Sequence, residues 1–158
     1  MLGFPSVINE KAARTVAGVV ALTGVVALAT GAHWLLIPLA YGFWARMLTG
    51  PKLSPLAQLA TKVVAPRLGR PKEVAGPPKR FAQAMGATMT TLGVIALALG
   101  WTTVTTVLLA LLVAAATLES VFAICVGCQI FGALMRAGLV PETVCAECAD
   151  ISGRLAKA

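Results

Sequence analysis

The sequence predicts an all-α integral membrane protein, a four-helix bundle with short cytoplasmic helices. Three observations carry that expectation. The chain has 158 residues, 58% hydrophobic and only 12% charged, with mean hydropathy +0.87. A soluble domain is usually about 45–50% apolar and about 25% charged. Two long runs are nearly free of charge: Thr15 to Ala45, apart from His33, and Phe81 to Leu118. Eight of the thirteen bases lie in the stretch between those runs, from Arg46 to Arg80, opposed only by Glu73. Six acids and thirteen bases cannot cover a soluble domain of this size, and the chain is far too apolar for disorder. The net charge of +7 by itself suits nucleic acid. The bases flank apolar runs, however, so anionic lipid headgroups are the expected partner and nucleic acid is not.

A spanning helix needs about 20 mainly apolar residues. The first run supplies one full span, 12–31, and a shorter second, 32–47, which carries Pro38 and Gly42. Proline is tolerated in membrane helices where neighbours re-satisfy the backbone, so the second is read as a short kinked span, with a re-entrant hairpin as its alternative. Asn9 is a candidate cap for the first helix, with Glu10 in its first turn. Lys11, Arg14 and Ala27-Leu28-Ala29 resemble a cleaved leader. A second apolar run follows at once, so the segment is read as uncleaved.

The second long run fits two spans, 81–100 and 103–125, with a turn at Gly100-Trp101-Thr102. The positive-inside rule puts the basic connection 48–80 in the cytoplasm, and with it both termini. Within 48–80, prolines break the chain repeatedly. Ser54 as cap and Pro55 as first residue mark a short amphipathic helix with Leu56, Leu59, Ala60 and Val63 on one face. That face is expected on the membrane surface or against the bundle. The domain boundaries expected are thus 1–128 for the membrane unit and 129–158 for a cytoplasmic tail. Glycines within the spans, among them Gly24, Gly86 and Gly93, suit close helix packing.

Chemistry is sparse. No phosphate-cradling glycine motif, Ser/His/Asp set or HExxH motif is present, and His33 reads as an interfacial side chain. The cysteines stand out as two pairs, Cys125-Val126-Gly127-Cys128 and Cys145-Ala146-Glu147-Cys148, separated by sixteen residues. Both are expected in the cytoplasm, where thiols stay reduced and structural disulfides are disfavoured. Thiol exchange and a metal site remain. Four thiolates at this spacing suit zinc, and an iron–sulfur cluster also takes four. The spacing allows a fold-back through a helix over 129–137, a turn at Gly138 and a new start at Pro141.

If the pairs are redox groups, they divide the labour. Cys125 and Cys128 are expected at the end of an apolar helix, where burial and the negative end of the dipole disfavour a thiolate. Cys145 or Cys148 would then react faster. Glu119 is the other anomaly, the sole charged residue of the last two expected spans. An intramembrane acid is a functional candidate by default, as a proton carrier for thiol chemistry. It is equally a structural acceptor for neighbouring Thr and Ser hydroxyls.

Several segments together carry a resemblance. Gly3-Phe4-Pro5 with Val7 to Arg14, Leu53-Ser54-Pro55-Leu56-Ala57, Pro78-Lys79-Arg80-Phe81-Ala82 and Cys125-Val126-Gly127-Cys128 resemble a bacterial multi-span membrane family catalogued as domain of unknown function 4395. The resemblance spans nearly the whole chain and implies a small multi-span protein of the bacterial inner membrane, with no assigned activity. It also implies an association with thioredoxin-like proteins and sulfurtransferases. A looser likeness is to four-span thiol oxidoreductases that couple to a quinone, from which this chain departs by putting both pairs after the last span.

The expected function is therefore membrane-bound thiol–disulfide or sulfane-sulfur exchange through Cys125, Cys128, Cys145 and Cys148, assisted by Glu119, with no cofactor. The competing reading is a non-enzymatic scaffold whose four cysteines bind zinc or an iron–sulfur cluster.

Overall fold

The structure is a computed structural model, and it describes residues 4–144. It is mostly helical. The principal elements are β1 (Val7–Asn9), α1 (Glu10–Thr30), α2 (Leu36–Thr49), α3 (Pro55–Leu59), α4 (Ala65–Arg67), β2 (Glu73–Ala75), α5 (Gly76–Ala98), α6 (Thr102–Phe122) and α7 (Val126–Arg136). Single 3-10 turns cover His33–Leu35 and Glu142–Val144, and a π-helical turn, Ala60–Val64, joins α3 to α4.

Three helices are long and apolar enough to cross a membrane: α1, α5 and α6. Their outward faces carry Leu22, Val25, Leu92, Ile95, Val107 and Leu111, each about half exposed or more. Water would penalise such a surface, whereas lipid tails accept it. The expected second span is realised as the 3-10 turn followed by α2. At 14 residues, α2 is roughly 21 Å long, short of a hydrocarbon core of about 30 Å. Pro38 lies in the first turn of α2, where its missing N–H interrupts no intrahelical bond.

The helices pack as α1 on α6, α2 on α5, and α5 on α6. The core runs through Val16, Val20, Ala27, Leu36, Leu39, Phe43, Ala87, Leu109 and Leu112. Large side chains sit opposite glycines. Phe43 lies where a Cβ on Gly86 would be, and Val113 where one on Gly24 would be. At one end, His33 Nε2 lies 3.2 Å from Thr106 Oγ1, joining the α1–α2 turn to the start of α6. Trp34 and Trp101 are exposed at this end.

The opposite end is tied by contacts that periodicity does not announce. Asn9 caps α1, its side chain accepting from the Lys11 N–H at 3.0 Å. β1 pairs antiparallel with β2, with Val7 opposite Ala75 and Asn9 opposite Glu73. The Gly76 N–H donates to the Ser6 carbonyl at 2.7 Å, and a Cβ at Gly76 would strike the carbonyls of Pro5 and Ser6. Glu10 pairs with Lys72 at 2.8 Å. Arg14 donates to the Ser120 carbonyl at 2.9 Å and to that of Val121 at 3.2 Å. A cation thereby satisfies the open carbonyls at the C-terminus of α6.

Two expectations for the basic connection need correction. Ser54 does cap α3, accepting from the Ala57 N–H, but Ala57, Ala60 and Ala65 are the residues buried against the bundle. Of the expected face, Ala60 is buried and Leu56 packs partly against the core, whereas Leu59 and Val63 stay exposed, because α3 and the π turn lie close on α1. Second, Arg46 and Lys79 are not surface bases facing headgroups. They are 6% and 7% exposed.

Candidate functional site

The site begins where α6 stops. A continuous span to Cys125 was expected, but α6 ends at Phe122, and Ala123 takes the left-handed conformation at φ 58°. The Ile124 N–H returns to the Leu118 carbonyl at 3.1 Å, a closure one residue wider than that of a Schellman helix end. The chain then reverses, and Cys125 becomes the extended N-cap of α7 (φ −91°, ψ 105°).

That reversal changes the electrostatics of the first cysteine pair. Cys125 stands at the positive end of α7 rather than at the negative end of α6. Its Sγ accepts from the Cys128 N–H at 3.3 Å and from the Cys128 thiol, the two sulfurs being 2.7 Å apart. Both cysteines are free. The Cys128 thiol bond holds the Cys125 pKa down at about 7, against burial, which raises it; the nearby Lys79 ammonium lowers it further. Cys128 is pushed well up, first because its thiol proton serves that bond and then by burial. The expected helix-end penalty is thereby corrected for Cys125, although burial still raises both thiols. Cys145 and Cys148, with which the pair was to be compared, lie outside the described residues.

Gly127 and Phe131 fix this arrangement. A Cβ on Gly127 would lie 2.6 Å from the Ala82 Cα, so only glycine lets α7 lie against α5. Phe131, 6% exposed, packs on Phe81 with ring centroids 5.7 Å apart. The spacing Cys-x-Gly-Cys thus serves packing as well as chemistry.

Glu119 is paired with a lysine, and among the described residues no Thr or Ser hydroxyl donates to it. Lys79, in the first turn of α5, donates to its carboxylate, and both side chains are largely buried. The charges of Lys79 and Glu119 both act on Cys125 and Cys128. Behind this pair, Arg46 stacks over Phe43 at 4.7 Å from the ring centroid. Its Nε donates to Gln83 Oε1 at 2.8 Å. Sequence reasoning missed Lys79, Arg46 and Gln83. The two bases read as membrane-edge anchors, and only the unpaired Glu119 hinted that a cation must turn inward.

A cavity of about 330 Å³ opens beside Cys125. Its polar end carries Arg46, Gln83, Glu119 and Cys125, and Val16, Val20, Phe43 and Leu112 help form its apolar body. The site therefore couples a dithiol, one sulfur of it biased to thiolate, to a buried cation–carboxylate pair. Among the described residues, no group of three or more His, Cys, Asp or Glu is placed to hold a metal ion. Cys145 and Cys148, the other half of the expected four-cysteine set, lie outside the described residues.

The family described as Domain of unknown function (DUF4395) matches residues 8–136. No curated protein and no solved structure matches the chain.

Proposed function

Because the chain belongs to the DUF4395 family, whose description carries no activity, we propose a function from the site itself: membrane-bound thiol–disulfide exchange centred on Cys125 and Cys128. The observation that carries this reading is the Cys128-to-Cys125 hydrogen-bonded dithiol at the start of α7. Sulfurs 2.7 Å apart need little backbone movement to bond or separate.

The unequal environments set the direction of attack. Cys128 is the more exposed residue, whereas Cys125 is buried. In the oxidised chain, a partner thiolate attacks Cys128 and forms a mixed disulfide, and Cys125 leaves as the stabilised thiolate. The partner's second thiol, giving up its proton, then attacks the mixed disulfide at the partner sulfur. Cys128 leaves and takes up a proton. The partner ends as a disulfide, two electrons lighter, and this chain ends as a dithiol. Cys145 and Cys148 act in this reading as the second dithiol in line, passing electrons or sulfane sulfur to or from a soluble thioredoxin-like protein or sulfurtransferase.

In this reading the chain lies in a bacterial inner membrane with α2 as a short fourth membrane segment, and the distribution of bases supports a cytoplasmic face for the dithiol. A membrane-impermeant thiol reagent on intact cells is then expected to leave all four cysteines unlabelled.

A soluble peptide with a single thiol tests the exchange. Added to the oxidised chain in nanodiscs, it is expected to give a mixed disulfide that peptide mapping locates at Cys128. A mixed disulfide at Cys125 would reverse the assigned roles. Failure of either sulfur to react would remove the dithiol reading.

A further inference from the structure

A second cavity, of about 210 Å³, lies on the other side of Arg46 and Gln83, beneath β1 and α3. Its polar lining consists of Arg46, Lys79, Gln83, Thr61 and Asn9, and among the described residues no Asp or Glu lines it. From this we infer that it is a binding site for a single oxyanion group, a carboxylate, phosphate or sulfur oxyanion. The inference goes beyond thiol exchange and does not depend on it.

Charge counting supports the assignment. Two buried cations, Arg46 and Lys79, stand with one acid, the part-buried Glu119, which is bound to Lys79; the other buried acid, Glu10, is paired with Lys72. With both thiols protonated, the cluster retains one uncompensated positive charge. Buried charge without a counter-charge is strongly disfavoured. The Arg46 guanidinium is also incompletely used. Its Nε is taken by Gln83, while its two terminal NH2 groups have no protein acceptor among the described residues. Those groups form a fork suited to two oxygens of one anion. Gln83 gives its carbonyl to Arg46, leaving its NH2 group as a further donor, and the Thr61 hydroxyl adds another.

The site has a built-in competitor. A Cys125 thiolate neutralises the same excess charge from the neighbouring cavity. An oxyanion in the Arg46 site and the thiolate form therefore oppose each other, and thermodynamic linkage makes the effect reciprocal. The groups facing Cys125 in this balance are Cys128, Lys79 and Glu119, with Arg46 behind Glu119.

The oxyanion has two available sources, a soluble ion or an anionic lipid headgroup, and one experiment separates them. Calorimetry is run on the reduced chain in phosphatidylcholine nanodiscs, titrated with inorganic phosphate, thiosulfate or acetate at constant ionic strength. Saturable binding of one anion per chain is expected, weakened at least about tenfold in Arg46→Leu, the cost of a charged hydrogen bond. Repeating the titration with phosphatidylglycerol in the nanodisc identifies the source. Abolished binding of the soluble ions marks the headgroup as occupant, and unchanged binding marks the soluble ion. Gln83→Leu, which removes a donor and leaves the charge, is expected to weaken binding by a smaller factor and covers a folding failure of the arginine variant. Saturating anion is also expected to raise the Cys125 alkylation midpoint. Lack of saturable binding by all three ions, with no lipid dependence of that midpoint, would overturn the site, as would binding that survives both substitutions. Neither result bears on whether Cys128 accepts a partner thiol.

Discussion

Cys128 gives both its backbone N–H and its thiol to the Cys125 sulfur, at 3.3 Å and 2.7 Å. Two residues of one helical turn thus become chemically unequal although their sequence contexts are alike. The difference comes from position: Cys125 is the N-cap, where open N–H groups converge, and Cys128 is the third helical residue that reaches back.

The first prediction concerns acidity. Cys125 alkylation in the reduced chain is expected to titrate with a midpoint of about 7. Cys128→Ala removes the thiol donor and should raise that midpoint, whereas Cys128→Ser retains a hydroxyl donor and should raise it less. The same shift bears on stability. The folded value lies below the ordinary thiol value of about 8.5. The ionised thiol therefore adds stability that is fully present above that value and is lost as pH falls through about 7. Mass spectrometry of alkylated peptides across pH 5–10 (an experimental range of about five units around the midpoint) measures the first effect. Identical midpoints in all three proteins would contradict it.

The second prediction concerns the Lys79–Glu119 pair. Removing one partner from a buried ion pair typically costs about 3–5 kcal/mol, because the survivor is left uncompensated. Glu119→Leu, which leaves Lys79 and Arg46 both without a counter-charge, should therefore lower the melting temperature in detergent substantially. Lys79→Leu, which leaves Glu119 with Arg46 nearby, should lower it less. The double variant should recover part of the loss, since the ammonium and carboxylate leave together while Arg46 keeps its buried charge. Additive losses in the double variant would show that the two side chains do not act as a pair.

The spans were legible because apolar runs near 20 residues have few other uses, and α1, α5 and α6 follow them to within a few residues. The cap at Asn9 and the start at Ser54-Pro55 were legible for local reasons, a side-chain acceptor followed by a helical run. What escaped was non-local. The β1–β2 pairing joins segments more than sixty residues apart, too short for periodicity to reveal. Lys79 and Arg46 looked like headgroup contacts because charge at a span's edge usually is one, and only the fold turns them inward. The end of α6 escaped for a different reason. Nothing in Phe122-Ala123-Ile124 signals a stop, since alanine favours helix and rarely takes positive φ.

The third prediction tests whether α7 docking creates the reactive sulfur. Phe131 is buried against Phe81 and sets α7 on α5. Phe131→Ala should cost about 3–5 kcal/mol at that contact and loosen α7 without touching either cysteine. The Cys125 midpoint is then expected to rise toward the ordinary thiol range, because the helix start and Lys79 no longer converge on it. A variant that melts earlier yet keeps the wild-type midpoint would show that the local turn alone suffices.

The last prediction concerns Ala123, the one non-glycine residue with positive φ among the described residues. Its conformation ends α6, and the turn it makes brings Cys125 to the head of α7 rather than to the tail of α6. A left-handed residue with a Cβ carries a penalty of about 1–2 kcal/mol, which glycine avoids. Ala123 is itself exposed, so its methyl loses little packing on removal. Ala123→Gly should therefore stabilise the protein, by at most about 1 kcal/mol once glycine's greater unfolded-state freedom is subtracted. The Cys125 midpoint should stay where it was. Ala123→Val should act oppositely. A β-branched residue resists this conformation more strongly, and the strain can be relieved by extending α6 through Cys125. In that case the sulfur would move to the negative end of a helix, and both its acidity and its exchange rate should fall together. Melting curves and the alkylation profile on the same two variants decide the matter. A valine variant less stable but unchanged in midpoint would mean that the turn is held by Arg14 and the α7 packing rather than by residue 123.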